Sequence, residues 1–287
     1  ENPLGDSTSA DIKIAYIPIM DLDTKASLPM LDNNTFDFTE LTHITSANFQ
    51  TSAELEYPNL AERHPFVLTG KMRNYQQKVY IDFLLKGPYS DWRGQLSANT
   101  IQAVSLQLQQ HLNQAFIYQL FSKAQTPEFK KSILSIAHQN NPQDSIILCQ
   151  LINSYIKTNE FDKAMVLADK LATAATEQNN LLQLGNALLY QSSVLTHKNL
   201  YQLSTEKLSL AINAFEEIND LSRSADAWNA QSWLDNKEDD YSAVKASLLK
   251  SAKLALDADD KPRELHALTY LSIMAHKHQQ EEDKYAY

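Results

Sequence analysis

Cysteine is almost absent from this sequence: Cys149 is the only one among 287 residues. No internal disulfide can form, which excludes a disulfide-stapled fold, although one thiol leaves the redox compartment open. Glycine is nearly as scarce, with five residues. A phosphate cradle needs backbone that approaches an anion closely, and neither a P-loop nor a dinucleotide fingerprint is present. Long apolar runs are missing as well. None approaches the roughly 18–20 residues that cross a bilayer, and no basic start followed by an apolar stretch marks a signal peptide. The chain opens on Glu1 rather than Met, which reads as a trimmed or processed start. Cations are outnumbered, 25 Lys and Arg against 35 Asp and Glu, for a net charge of −10. That balance opposes a large nucleic-acid footprint, which needs clustered cations to displace counterions. No nucleic-acid partner is expected for this segment.

What the sequence does have is a period. Segments beginning at Asn141, Leu181, Leu221 and Lys261 align without gaps every 40 residues. Leu148, Leu188, Trp228 and Leu268 share one column; Phe161, Tyr201 and Tyr241 share another; Ala164, Ser204 and Val244 a third. Each unit closes on a polar run: Glu177 to Asn180, Glu217 to Asp220, Asp257 to Asp260. A fixed period of this size marks stacked supersecondary units, which build extended surfaces rather than catalytic pockets.

The first 118 residues do not repeat. Residues 1–10 are polar with Pro3 and Gly5, and read as a tether. Ile12 to Met20 is short, apolar and β-branched, a central strand in which Pro18 offers no donor. Asp21, Asp23 and Asp32 cluster in the loop that follows, without the glycine and terminal glutamate of a calcium loop. Phe36 to Asn48 is expected to be a short helix and then a strand, and Pro58 to Arg63 a helical turn. Phe66 to Met72 and Lys78 to Leu85 form a hairpin around Arg73 to Gln77. In its second strand Val79, Ile81 and Phe83 alternate with Tyr80 and Asp82, which predicts one wetter face. Trp92 to Leu96 makes one more strand. Ser97 is expected to cap a helix whose stripe is Ile101, Val104, Leu108, Leu112 and Ala115.

Residues Ala61 to Leu112 resemble the sensor portion of the CadC/ToxR-type membrane-anchored transcriptional regulators. The resemblance rests on the order of elements: an opening strand like Ile12 to Ile19, a valine–leucine–x–glycine strand matched by Val67, Leu68 and Gly70, then a polar turn and an alternating strand. Trp92 matches a tryptophan before the helix, here Ser97 to Gln114. The likeness implies a periplasmic domain joined, through one transmembrane helix, to a cytoplasmic winged-helix domain that binds DNA. The departure is cysteine. The acid-sensing member of that family has a pair in this subdomain and this chain has none there, so a disulfide-dependent response is not carried over.

Asp144 to Thr176 resembles a tetratricopeptide repeat at the residue level, through Leu148, Leu151, Tyr155, Phe161 and Ala164. Ala164 lets two helices approach, Phe161 plugs the wedge between pairs, and Tyr155 fills the gap below. Ile152 replaces a small residue, which predicts looser packing, and Asp235 stands in the tyrosine column of the third copy. The 40-residue spacing exceeds the usual length of about 34, so helices or turns must be longer. Expected helix pairs are 143–157 with 160–177, 180–197 with 201–218 and 220–234 with 239–257, then 261–279 as the start of a fourth unit. Residues 116–140, around Pro127, are expected to connect or cap, with Leu120, Ile133 and Ile136 turned inward.

Chemistry-bearing residues are few. His276 and His278 point about 200° apart on a helix and cannot share one metal, even with His266 nearby. His43 and His64 could titrate near about pH 6–7. Acids crowd the turns: Glu216, Glu217 and Asp220; Glu238, Asp239 and Asp240; Asp257, Asp259 and Asp260; Glu281, Glu282 and Asp283. Most read as solvated turns and helix caps. If some of them, Glu216, Glu217, Asp220, Glu238, Asp239 and Asp240 foremost, faced a second copy, crowding would raise their pKa and mild acid would favour association. Cys149 lies on an apolar helical face and reads as core. No catalytic constellation is apparent, so no enzyme activity, cofactor or metal is expected.

The expected fold class is α+β: a small mixed α/β domain over residues 1–118, then an all-α tetratricopeptide-like right-handed array of antiparallel helix pairs over 119–287. The packing of that array is assigned to Leu148, Leu151, Tyr155, Phe161, Ala164, Leu188, Tyr201, Trp228, Tyr241 and Leu268. The expected function is the signal-sensing and dimerisation region of a membrane-anchored winged-helix regulator. Placed on the periplasmic side of a bacterial inner membrane, it would respond to a small molecule, a partner protein or pH, at a seam between the two domains. A homodimer is expected, with membrane contact only through an upstream helix. The alternative is a cytoplasmic tetratricopeptide adaptor that binds a peptide or protein partner.

Overall fold

The computed structural model describes residues 12–21, 24, 26–29, 36–41, 57, 60–89, 91–120 and 126–286. The chain divides into two compact units, Glu1–Ile147 and Leu148–Tyr287. The first carries a mixed sheet and the second an array of antiparallel helices, a small α/β domain followed by an all-α repeat. Residues 119–120 and 126–147, assigned to the array from sequence, fall in the first unit.

The sheet runs β2-β1-β3-β4-β5. Its strands are β1 (Ile12–Tyr16), β2 (Phe36–Glu40), β3 (Phe66–Tyr75), β4 (Lys78–Lys86) and β5 (Asp91–Ala98). β1 is an interior strand next to the edge strand β2, and is parallel to both neighbours, β2 and β3, whereas β3, β4 and β5 form an antiparallel meander. Pro18 falls just beyond the paired part of β1, where its missing donor costs nothing. Phe36 to Glu40 is a strand, not the expected helix. Phe36 pairs with Ile12 and is buried, so the free edge of β1 decides a sequence whose local preference is weak. Residues 42–48 of that segment, and Asp23, Asp32 and His43, lie outside the described residues. Asp21 is buried and its carboxylate is fully engaged: Oδ1 accepts from Thr24 N–H and Oγ1, and Oδ2 from Asn74 N–H and Nδ2. It is a tie between the exit of β1 and the end of β3. The β3–β4 turn is tighter than expected, with the ladder running to Tyr75 and Lys78 and only Gln76 and Gln77 at positive φ, 47° and 62°. That is the primed two-residue turn that suits the twist of a hairpin. The face expected to be wetter holds Tyr80 buried under the Arg73 guanidinium, 4.1 Å from its ring centroid.

Helix α1 (Ile101–Ile117) covers the sheet with Val104, Leu108, Leu112 and Ala115, all fully buried. Its cap is Thr100, which accepts from Ala103 N–H, rather than Ser97, which remains in the β4–β5 ladder opposite Tyr80. At its far end Phe116 packs on Phe36 and Phe66. Helix α2 (Pro127–Asn140) starts on Pro127 with Thr126 as cap. It buries Leu134 and Ala137, and Leu120 is inward as expected. Ile136 is not inward: it is 49% exposed.

The array consists of α3 (Ser145–Lys157), α4 (Phe161–Glu177), α5 (Leu181–His197), α6 (Tyr201–Glu217), α7 (Leu221–Lys237), α8 (Tyr241–Asp257) and α9 (Lys261–Lys277), with the short α10 (Glu281–Ala286) after them. From α4 to α9 every helix has 17 residues. The joints are identical. Asn159, Asn179, Asn199, Asn219, Asp239, Asp259 and Gln279 each adopt a left-handed φ of 49–61°. Around Asn219 its N–H donates to Glu216 O and the next, Asp220 N–H, reaches back to Phe215 O, satisfying the last carbonyls of α6. The same pair recurs at the other joints. Glycine usually fills the left-handed position. At six of these seven joints the chain uses Asn or Asp, which tolerate it best among residues with a Cβ, and at the last it uses Gln279. The residue that closes one helix then caps the next: the side chains of Asn180, Asp220, Asp240 and Asp260 accept from Gln183, Arg223, Ala243 and Arg263 N–H. Two seventeen-residue helices and two three-residue joints give the 40-residue period. Compared with the tetratricopeptide length of about 34, each helix gains nearly one turn.

Replacing Asn179, Asn199 or Asn219 with alanine is expected to cost about 1 kcal/mol each, because a Cβ without a compensating amide is strained there. Glycine at the same positions should cost less. Urea midpoints for the two sets check the ordering.

Candidate functional site

The residues assigned to repeat packing occupy the interior or its margin. Leu148, Leu151, Ala164 and Leu188 are buried, and Tyr155, Phe161, Tyr201, Trp228, Tyr241 and Leu268 are half-buried. Ala164 and Ala168 lie in one cluster with Ile152, which is fully buried rather than loosely held. Phe161 stacks on His197 at 5.0 Å and 15°. Trp228 packs with Leu221, Ala225, Leu254 and Ala255. Cys149 joins the first cluster as a partly buried apolar group.

A polar face forms where first helices of successive pairs meet, on α3, α5, α7 and α9. Contacts recur at a spacing of 37 residues, from one helix to its counterpart in the next pair. Asn153 Nδ2 donates to Tyr190 Oη at 3.2 Å. Arg263 grips Asp226 with two parallel bonds, Nε to Oδ1 at 2.7 Å and Nη2 to Oδ2 at 3.0 Å. Asn229 lies 3.3 Å from His266 Nδ1. Arg223 adds a third bond to Asp226, 3.2 Å, and Arg263 Nη1 reaches the cap carboxylate of Asp260 at 2.6 Å. Burial pushes the Tyr190 phenol well above its usual range. For Asp226 burial also acts upward, but the Arg263 and Arg223 charges and hydrogen bonds outweigh it and hold the carboxyl below the ordinary value. The fork-to-fork geometry of Arg263 fixes a planar cation at a defined place. The face therefore carries amide and phenol groups between α3 and α5, and cation, anion and amide groups between α7 and α9. Of these residues only His266 and Asp260 were singled out from sequence, neither for this contact, although Asp226 and His266 occupy one column of the repeat and Arg223 and Arg263 another.

Asp226→Ala is expected to destabilise the array by about 1–3 kcal/mol, since it leaves two partly buried guanidiniums facing each other. The sign of the linkage follows from the lowered pKa. The contribution of Asp226 is complete above the unfolded carboxylate value and is lost as pH falls through the lower folded value. Chemical denaturation of both forms at about pH 7 and about pH 3 checks this: the difference between them should shrink in acid.

The acids expected to meet a second copy divide by role. Asp220 is buried and Asp240 exposed, and both cap helices; Asp239 holds a left-handed joint; Glu216, Glu217 and Glu238 are exposed. Asp283 accepts from Lys245 and Tyr241, and the Lys245 hydrogen bond foremost holds it below the ordinary carboxylate range. His278 lies 3.4 Å from Asn236 Oδ1, and His276 is exposed. Among the described residues no group of three or more His, Cys, Asp or Glu is placed to hold a metal ion. Also among them, no helix is long and apolar enough to cross a membrane. In the sheet unit, Ile117, Phe129, Ile133 and Ile136 line a cleft of about 360 Å³ beside Tyr118 and Gln119.

Neither a known family nor a curated protein matches the chain. Among solved structures it is similar to the crystal structure of BtubC (BKLC) from P. vanneervenii, at 12% identity and a TM-score of 0.33, over 64% of this chain and 80% of that one. A likeness of that size carries no argument.

Proposed function

We propose that this chain is the signal-input region of a membrane-anchored transcriptional regulator, placed on the periplasmic side of a bacterial inner membrane. The sheet unit with its Val67, Leu68, Gly70 and Trp92 pattern supports the regulator reading. Gly70 has a physical reason to be glycine, because a Cβ there would lie 2.3 Å from Asp82 O. The observation that carries the binding role is the Arg223–Asp226–Arg263 strip, a preorganised polar surface spread over stacked helices. In this reading a protein or small-molecule signal engages the chain, and a homodimer passes its state to DNA-binding domains across the membrane.

Spheroplasts expressing the complete protein with a tag after Tyr287 test the placement. Added protease should remove the tag while a cytoplasmic control survives. A protected tag would overturn the periplasmic reading and leave the cytoplasmic adaptor, for which the same polar strip would bind a peptide. Association is tested separately by sedimentation at about pH 7.5 and about pH 5.5. A larger mass in acid supports contact through the exposed Glu216, Glu217, Glu238, Asp239 and Asp240, the buried Asp220 being committed to its cap, and an unchanged monomer removes it.

A further inference from the structure

His111 is an imidazole that the proposed function does not use. It lies on α1 within the Val104, Leu108, Leu112 stripe and is 2% exposed. Its Nε2 is 2.7 Å from Trp92 Nε1, and its Nδ1 is 2.6 Å from Asp144 Oδ2. An indole nitrogen can only donate. Nε2 must therefore be bare, and the single ring proton sits on Nδ1, donated to Asp144. The partners are fixed in turn. Asp144 Oδ1 accepts from Ile146 and Ile147 N–H at 3.0 Å each, capping α3. The Trp92 ring stacks on the imidazole at 17° with centroids 5.9 Å apart, and Phe83 of β4 is 5.6 Å away. Among the described residues, Asp144 and Lys130 of α2, whose Nζ is 5.8 Å from the Trp92 ring, bring charge to this cluster. β4 and β5 present the apolar ring of Phe83 and the indole of Trp92.

We propose that Trp92, His111 and Asp144 form a proton-operated latch between β5, α1 and the start of α3. A second proton, taken from solvent onto Nε2, turns the acceptor of Trp92 into a donor. Two N–H groups then face each other across 2.7 Å, and the hydrogen bond between β5 and α1 must break. The bond to Asp144 survives as an ion pair, so the imidazolium stays with Asp144 while the indole gives way. Imidazoles in general change charge between about pH 5 and 8, which sets the range of the test. The latch holds whether the chain is a sensor or an adaptor.

The indole N–H resonance of Trp92 in the unmodified chain tests this directly. Between about pH 8 and about pH 5 it should move upfield in one single-proton step, or broaden, while backbone signals from the array stay in place. Emission gives a second reading. In a Trp228→Phe/Trp233→Phe variant Trp92 is the only indole left, and an adjacent imidazolium should quench it about two-fold or more over the same range. His111→Gln should abolish both changes. A Trp92 resonance and emission that stay constant over this range overturn the proposal, as does an equal response in His111→Gln.

Discussion

Phe215→Ala is expected to destabilise the array by about 3–5 kcal/mol, the largest loss for any single truncation within it. Phe215 is fully buried, and its position in the repeat explains why so much depends on it. The corresponding residues one repeat away on either side are Ala175 and Ala255. A ring can replace alanine in that column only where something else has shrunk, and the residue that has shrunk is Gly185. A Cβ at Gly185 would lie 2.5 Å from Cε1 and 2.8 Å from Cδ1 and Cζ of Phe215. Removing the ring leaves a hole lined by backbone that cannot collapse, so the cavity penalty adds to the lost transfer energy. Gly185→Ala should also destabilise, by about 1–3 kcal/mol from overpacking, offset in part by alanine's better helix propensity. The coupling between the two sites is the decisive measurement. Gly185→Ala with Phe215→Leu should be less damaging than the two single losses added together. Additivity within about 0.5 kcal/mol would mean that ring and glycine do not depend on each other.

The array was legible because its punctuation lies in the sequence. The Asn and Asp residues at left-handed joints, each followed by a capping Asn or Asp, recur every 20 residues from Asn179 to Asp260, with Leu200 the exception at the cap. The expected helix limits accordingly fall within about three residues of those observed. The same pattern hid half its meaning. The runs that looked like candidate acid patches are joint chemistry in which Asp220, Asp240 and Asp260 close one helix and open the next. The sheet unit was harder to read because its decisions are tertiary. Phe36 to Glu40 is a strand owing to the edge that β1 offers, and Ser97 continues β5 because Tyr80 lies opposite it; no local preference encodes either partner. Ile136 was placed inward by spacing alone, whereas Leu134 and Ala137, also three apart, form the buried stripe. His111 was overlooked although it stands three residues after Leu108 and next to Leu112, in the middle of an apolar face. A titratable residue in such a stripe is a signal that sequence can give. Its partners Trp92 and Asp144, 19 and 33 residues away, come only from the fold.

Asp144→Ala is expected to destabilise the sheet unit by about 2–5 kcal/mol, because one carboxylate serves two buried demands. Its Oδ1 satisfies the first amides of α3, and alanine at a helix cap costs about 0.5–2 kcal/mol. Its Oδ2 is the acceptor for a buried ring nitrogen, and an unsatisfied buried donor costs about 1–3 kcal/mol more. Asp144→Asn separates the two, since an amide oxygen can still cap the helix while the charge facing His111 is gone. It should lose less than alanine does. The pH dependence distinguishes them further. Burial pushes the Asp144 carboxyl up, yet the hydrogen bond and charge of His111 and the amides of Ile147 and Ile146 together bring it below the ordinary range. A depressed folded pKa means that this carboxylate contributes fully above its unfolded value of about 3.9 and loses its contribution as pH falls through the folded value. The wild-type unit should therefore show an acid step that Asp144→Asn lacks. Urea unfolding from about pH 7 to about pH 2 resolves it, and a step that persists in Asp144→Asn would assign it to another carboxylate.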